Sequence, residues 1–195
     1  MTASDRMPDR TATGGHMLVQ HRVVFSLGSN LGDRLDNLQE AVDALFDAPG
    51  LEFVACSPVY ETPPFAPPGE TLPEQGDYLN IVVVADTRLP PENLLERVLN
   101  IENSLRRVRE VRWGPRTLDI DIVVFGDISS DDPDLTLPHP RAHERAFVLV
   151  PWADIEPDVL LPGHGRVGDL AEAKQAEGGP SAVRRRNDLT LQQPA

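Results

Sequence analysis

The sequence predicts an α+β fold, one antiparallel sheet with helices packed on it. Three observations carry this expectation. Apolar runs of strand length alternate with two helically periodic segments in the order βαββαβ, Pro and Gly mark the transitions, and 195 residues at 40% hydrophobic content suit a single sizeable core. RVVFSLGSN (22–30) is the first strand and runs into a glycine turn. In LGDRLDNLQEAVDALFDAPG (31–50), Leu31, Leu35, Leu38, Val42 and Leu45 recur at helical spacing until Pro49 and Gly50 stop the helix. LEFVACSPVY (51–60) is the second strand. Residues 63–76 then hold five prolines and two glycines, a long connection of the kind compact domains keep for function. YLNIVVVADTRL (78–89) is the third strand, and PPENLLERVLNIENSLRRV (90–108) is a helix opened by prolines, with Leu94, Leu95, Val98, Ile101 and Leu105 on its apolar face. TLDIDIVVFG (117–126) is the fourth strand. This order is the split-βαβ, ferredoxin-like arrangement, with both helices on one face of the sheet and the other face left to bind something.

The remaining segments bound the domain. After an acidic turn, residues 135–158 form a short strand and a helical turn, and the chain past Gly163 becomes polar. There only VGDLAEAKQA (167–176) resembles a helix, and RRRNDLTLQQPA (184–195) is expected to be disordered. The organisation expected is therefore a disordered extension over 1–20, one domain over 21–165, and a polar, partly disordered C-terminal extension over 166–195. The first residues lack the apolar stretch of a secretory signal, no apolar run approaches the ~20 residues of a membrane span, and Cys56 has no internal disulfide partner. These features fit a soluble cytoplasmic protein with no membrane partner. A net charge of −13 opposes a nucleic-acid partner. Nevertheless Arg106, Arg107, Arg109, Arg112 and Arg116 fall within eleven residues. Such a patch on an acidic protein suits a small polyanion; it also suits a solvated helix end whose arginines offset the C-terminal dipole.

The chemistry concentrates in RWGPRTLDIDIVVFG (112–126). Strand alternation puts Asp119 and Asp121 on the same face, about 7 Å apart, where two carboxylates repel and each loses hydration. Arginine or a divalent metal would offset them. The Arg-Trp-Gly-Pro-Arg loop immediately before the pair favours a two-carboxylate Mg²⁺ site with phosphate-binding arginines, because Mg²⁺ keeps waters and substrate phosphates among its ligands. YETPPF (60–65) and DYLN (77–80) put Thr62, Phe65, Tyr78 and Asn80 at strand ends, a set suited to a flat hydrogen-bonding heterocycle and equally to turn chemistry beside a core aromatic. GSNLGDR (28–34) is either a turn with Asn30 near a helix cap or a wall of the cleft; it has neither the P-loop Lys-Ser/Thr nor GxGxxG spacing. In PHPRAHERAF (138–147), His139 and Arg145 extend the set of groups able to meet phosphate. No Ser-His-Asp or Cys-His order points to covalent catalysis.

In order, SLGSNLGDR, YETPPF, DYLN, RWGPRTLDIDI and LTLPHPR…RAFVL closely resemble the 6-hydroxymethyl-7,8-dihydropterin pyrophosphokinases of folate biosynthesis, from about Val23 to Pro157. The resemblance implies a cytosolic, usually monomeric enzyme that moves pyrophosphate from ATP to the pterin hydroxymethyl group, releasing AMP, with two Mg²⁺ ions. It makes Asp119 and Asp121 the metal ligands and Arg107 and Arg116 the catalytic arginines. It assigns Thr62, Pro63, Phe65, Tyr78, Asn80, Trp113 and Phe147 to the pterin pocket, with Tyr78 and Phe147 sandwiching the ring. Glu102, Arg107, Arg109, Arg112, Trp113, Arg116, Thr136, His139 and Arg145 would surround ATP. The chain departs from some members at Pro140, where they carry a tyrosine, and in its longer, proline-rich loop after Phe65. Two other classes remain open from the residues alone: a nucleotidyltransferase with the same D-x-D metal site, and a non-catalytic ferredoxin-like binding module.

Overall fold

The computed structural model describes residues 19–65, 69, 71–105, 116–179 and 182–194. At its centre β1 (His21–Ser29) precedes helix α1 (Arg34–Asp47), whose N-terminus is capped by Asp33 accepting from Asp36 N at 3.2 Å. Strands β2 (Leu51–Cys56) and β3 (Tyr60–Thr62) follow, then β4 (Tyr78–Thr87), α2 (Pro91–Ser104) and β5 (Asp119–Phe125). β1 pairs antiparallel with β4 on one side and β5 on the other. β2 and β3 share the far edge of β4, each antiparallel to it.

The single strand expected over 51–60 is thus two. Pro58 has no N–H to give the ladder, and Ser57 substitutes: its N–H donates to Val82 O at 2.9 Å, while its Oγ accepts from Val82 N at 2.9 Å. The bond count across the break is preserved by a side chain.

Alternation along the strands sorts two cores. Val23, Phe25 and Leu27 of β1, Ile81 and Val83 of β4 and Ile120 and Ile122 of β5 face α1 and α2, which contribute Leu38, Val42, Leu45, Leu94 and Val98. Leu31, expected on the helical face, precedes α1 and is exposed. On the opposite face Val24, Val82, Val84 and Val123 lie under two further helices, α3 (Ala146–Ala153) and α4 (Val167–Gly178), with Trp152 and Val167 fully buried between them. The face expected to be open is therefore roofed at one end. At the other end the same alternation presents Ser26, Gly28, Thr62, Tyr78, Asn80, Asp119 and Asp121, and these line a cavity.

Two hairpins complete the chain between the helices. β6 (Ser130–Asp132) pairs with β7 (Leu135–Leu137), and β8 (Leu160–Leu161) with β9 (Gly165–Arg166). The helix expected over 167–176 is present as α4, whereas the stretch from residue 184, expected to be disordered, docks on the body of the protein. α4 belongs to the second core, and β10 (Arg184–Arg185) adds antiparallel to β3, making a six-stranded sheet in the order β10-β3-β4-β1-β5 with β2 beside β4. Leu189 and Leu191 then pack on the first core. Among the described residues, no helix is long and apolar enough to cross a membrane.

Candidate active site

The polar end of the second sheet face opens into a cavity of about 270 Å³. Its floor is β1, where Gly28 occupies the position after Ser26 on the same face. A Cβ at Gly28 would stand 3.0 Å from Asn80 Oδ1, so the missing side chain leaves room for the Asn80 amide. Asn80 Nδ2 donates to Thr62 Oγ1 at 2.7 Å, fixing which way the buried amide points. Tyr78 stands beside it, its hydroxyl 3.4 Å from Gln75 Oε1. Burial pushes the Tyr78 phenol above its ordinary range, with Arg116 opposing and Asp119 adding to the shift.

The acidic wall is β5. Asp119 and Asp121 point into the cavity as alternation requires, and each meets an arginine. Arg116 Nη1 lies 2.5 Å from Asp119 Oδ1, and Arg145 Nη1 lies 2.7 Å from Asp121 Oδ2. The like charges are offset, and the neutralising groups are arginines. Arg116 is itself clamped at its backbone: its N–H donates to Asn30 Oδ1 at 2.7 Å, and its carbonyl accepts from Asn30 N at 3.1 Å. Asn30 therefore ties the glycine turn to the loop before β5, while the cap role expected near it falls to Asp33. Burial disfavours the Arg116 charge, but Asp119, Tyr78 and Asp121 outweigh it and hold the guanidinium above its usual range. Arg145 closes the N-terminus of α3, with its carbonyl accepting from Val148 and Leu149 N at 3.0 Å. Its Nε is buried with no hydrogen-bond partner among the described residues.

Aromatic rings form the third wall. Phe65 and Phe147 lie 6.2 Å apart at 59°, Arg145 sits 5.6 Å over Phe147, and Arg141 sits 5.8 Å over Phe65. His139 lies alongside β5, its backbone N–H donating to Val123 O at 2.8 Å. Its Nε2 is 3.8 Å from Asp121 Oδ2, and its Nδ1 accepts from Arg141 N at 3.2 Å. Burial lowers its pKa, Asp121 opposes, and Arg145 and Arg141 reinforce the decrease.

The cavity thus brings together Thr62, Pro63, Phe65, Tyr78, Asn80, Arg116, Asp119, Asp121, Arg145 and Phe147. Glu102 lies elsewhere. It is 2% exposed on α2, and its Oε1 accepts from Ile120 N at 2.9 Å, so it anchors the start of β5 from the helical side. Thr136 sits in the β6–β7 hairpin, donating to Asp132 O at 2.9 Å. Arg107, Arg109, Arg112 and Trp113 lie outside the described residues. Gly28, from the GSNLGDR stretch read as either a turn or a cleft wall, lines the cavity, as do Ser26 and Gln75, which the sequence motifs do not assign. The first two carry a readable signal, since they interrupt the apolar alternation of β1 as the aspartates interrupt β5. Gln75 carries none, because its place depends on how the long loop returns.

A sheet face that is apolar under helices and polar at its open end, with paired acids, arginines and an aromatic wall, defines an α+β enzyme acting on small molecules. The profile of the 7,8-dihydro-6-hydroxymethylpterin-pyrophosphokinases matches residues 24–157. The 2-amino-4-hydroxy-6-hydroxymethyldihydropteridine pyrophosphokinase of Methylorubrum extorquens is 47% identical over 142 residues, covering 73% of this chain and 87% of that one. The Pseudomonas aeruginosa enzyme of the same name is 42% identical, over 80% of this chain and 94% of its own. A Plasmodium falciparum HPPK-DHPS structure shares the fold with a TM-score of 0.64 at 13% identity, across 82% of this chain and 45% of that longer one. The chain belongs to the hydroxymethylpterin pyrophosphokinase family, whose reaction is pyrophosphate transfer from ATP in folate biosynthesis.

Proposed function

We propose that the cavity seats 6-hydroxymethyl-7,8-dihydropterin against Tyr78 and Phe147 with Asn80 reading its edge, and that Asp119 and Asp121 hold two Mg²⁺ ions that present ATP. The observation that carries this reading is the Arg145 Nε, buried and without a hydrogen-bond partner among the described residues, in a wall where each carboxylate already has a cation. A buried orphan donor of this kind would be satisfied by a phosphate oxygen. Among the described residues no three His, Cys, Asp or Glu side chains converge as a metal cage. Two carboxylates suit Mg²⁺, which fills its remaining positions with water and phosphate. When bound, Mg²⁺ supplies Lewis-acid polarisation of the phosphoryl oxygens.

The protein's own part is an exchange of partners. Arg116 and Arg145 neutralise the aspartates in the free enzyme and turn to phosphate when nucleotide arrives. Arg116, clamped by Asn30, is then placed to follow charge developing on the transferred group while the substrate hydroxyl attacks in line. Arg107 shares this task by resemblance. Glu102, Arg109, Arg112, Trp113, Thr136 and His139 remain the nucleotide-side set that the resemblance implies, with Glu102 acting through β5. The strand order, with every neighbour antiparallel, supports a ferredoxin-like core. We read the molecule as a cytosolic monomer, as the family resemblance implies, in keeping with its single unpaired Cys56.

A single turnover with ATP and the pterin tests the reading. The expected products are AMP and pterin diphosphate; release of free pyrophosphate would mark a nucleotidyltransferase instead. Asp119→Ala and Asp121→Ala should each lower turnover by at least about a hundredfold at saturating Mg²⁺. Their melting temperatures should fall only modestly, because each loss relieves like-charge repulsion while leaving one arginine without its carboxylate. Near-normal turnover in either variant would defeat the metal assignment.

A further inference from the structure

Behind the cavity, on the opposite side of β3, lies a charge cluster that the reaction does not use. Glu61 follows Tyr60 and precedes Thr62, so its side chain points away from the cavity that Thr62 lines. It is 8% exposed and meets three arginines. Arg34 Nη1 reaches its Oε1 at 2.9 Å, and Arg184 Nη2 and Arg186 Nη1 each reach its Oε2 at 2.9 Å. Arg34 also donates to Asp77 O at 2.7 Å, beside Tyr78. The C-terminal segment carrying the other two arginines pairs with β3 in the register Arg184↔Glu61, and Arg186 N donates to Val59 O at 2.8 Å.

We infer that this segment is a clasp, in which Arg184 and Arg186 act through Glu61 as positioning residues for the pterin pocket. On its cavity face β3 is held at Tyr60, buried in the second core with its hydroxyl donating to Asp154 Oδ2 at 2.6 Å, which leaves Glu61 as the strand's anchor on the other face. The strand is three residues long, and beyond Thr62 the chain enters the proline-rich loop that supplies Pro63 and Phe65 to the cavity. Three residues of pairing to β4 leave such an edge prone to fraying. β10 makes β3 an interior strand, and Glu61 ties it to the start of α1 and, through Arg34, to the residue before Tyr78. Thr62 is thereby held where Asn80 Nδ2 meets it at 2.7 Å. Both tail arginines lie beyond the residues 24–157 matched by the family profile, so no shared motif assigns them.

The inference rests on the cavity being the pterin pocket, and its test separates the two. Binding of 6-hydroxymethyl-7,8-dihydropterin is measured by calorimetry on the full chain with Mg²⁺ and a non-hydrolysable ATP analogue. The variants are Arg184→Ala/Arg186→Ala, Arg184→Lys/Arg186→Lys, Glu61→Gln and Asn80→Ala, with kcat and KM measured alongside. The double alanine variant should weaken pterin binding roughly tenfold, the loss expected of an uncoupled positioning contact. Its kcat and its KM for ATP should stay within about twofold, and the lysine variant should recover most of the affinity. Glu61→Gln should match the alanine variant, because three guanidinium groups lose their shared anion. A lower melting temperature with unchanged pterin affinity in the alanine variant would overturn the clasp, leaving the tail merely stabilising. Unchanged affinity in Asn80→Ala with a weakened double variant would overturn the pocket assignment and keep the clasp.

Discussion

Gly28 shows how one absent side chain shapes the site. A methyl group there would press on Asn80 Oδ1 at 3.0 Å, and Asn80 cannot swing away without losing Thr62. Gly28→Ala should therefore weaken pterin binding by ~1 kcal/mol, the size of a forced off-rotamer side chain. The same change removes backbone freedom from the unfolded chain, and in a strand with ordinary φ it should leave stability equal or raise it by a few tenths of a kcal/mol. Affinity and melting temperature are thus expected to move in opposite directions, and a calorimetric titration beside a thermal melt checks both. Parallel losses would show that the contact serves folding. Asn80→Ala carries the complementary expectation: about 1–3 kcal/mol of pterin binding lost while nucleotide binding stays level.

Elements place these residues through long-range bonds. β5 begins where Glu102 of α2 accepts from Ile120 N, between the two aspartates in sequence. Glu102→Ala should strand that buried N–H and cost about 1–3 kcal/mol of stability, with kcat falling as Asp119 and Asp121 loosen and KM for ATP holding. Urea unfolding with steady-state kinetics measures this; a large rise in KM for ATP at normal stability would make Glu102 a nucleotide contact. Much of this level is legible in the sequence, because period-two alternation is local. It puts both aspartates, and Tyr78 with Asn80, on one face without reference to anything distant. Other features are not local. AFVLVPWA is apolar all round and shows no amphipathic stripe, so nothing in it foretells that α3 roofs half the sheet. The Asn30–Arg116 clamp joins residues 86 apart. The break after Cys56 depends on a hydroxyl standing in for a backbone partner, a substitution that composition does not record.

At the scale of the whole molecule, charge is distributed against the average. The chain carries a net −13, yet arginines crowd Glu61 and Asp188 where the tail meets the sheet. Burial pushes the Glu61 carboxyl up, but Arg34 and Arg186 outweigh it and hold it below its ordinary value of 4.5. Arg186 draws Asp188 from 3.8 down to about 2. With folded values depressed, the undocked chain takes up protons first as pH falls. The stability these groups give the tail is full above about pH 4.5 and is lost as pH drops through the folded values toward 2. Over the same range the rest of the protein loses surplus negative charge, which relieves its self-repulsion. The body and its tail should therefore respond to acid in opposite senses. Between about pH 5 and 3, backbone hydrogen exchange over residues 182–194, corrected for intrinsic rates, should quicken while the emission of Trp152, fully buried between α3 and α4, stays native. In Glu61→Gln the part of that pH dependence that belongs to Glu61 should vanish, leaving the part due to Asp188. Loss of the Trp152 signal together with tail protection in wild type would show one cooperative unit, with the tail docked as firmly as the core.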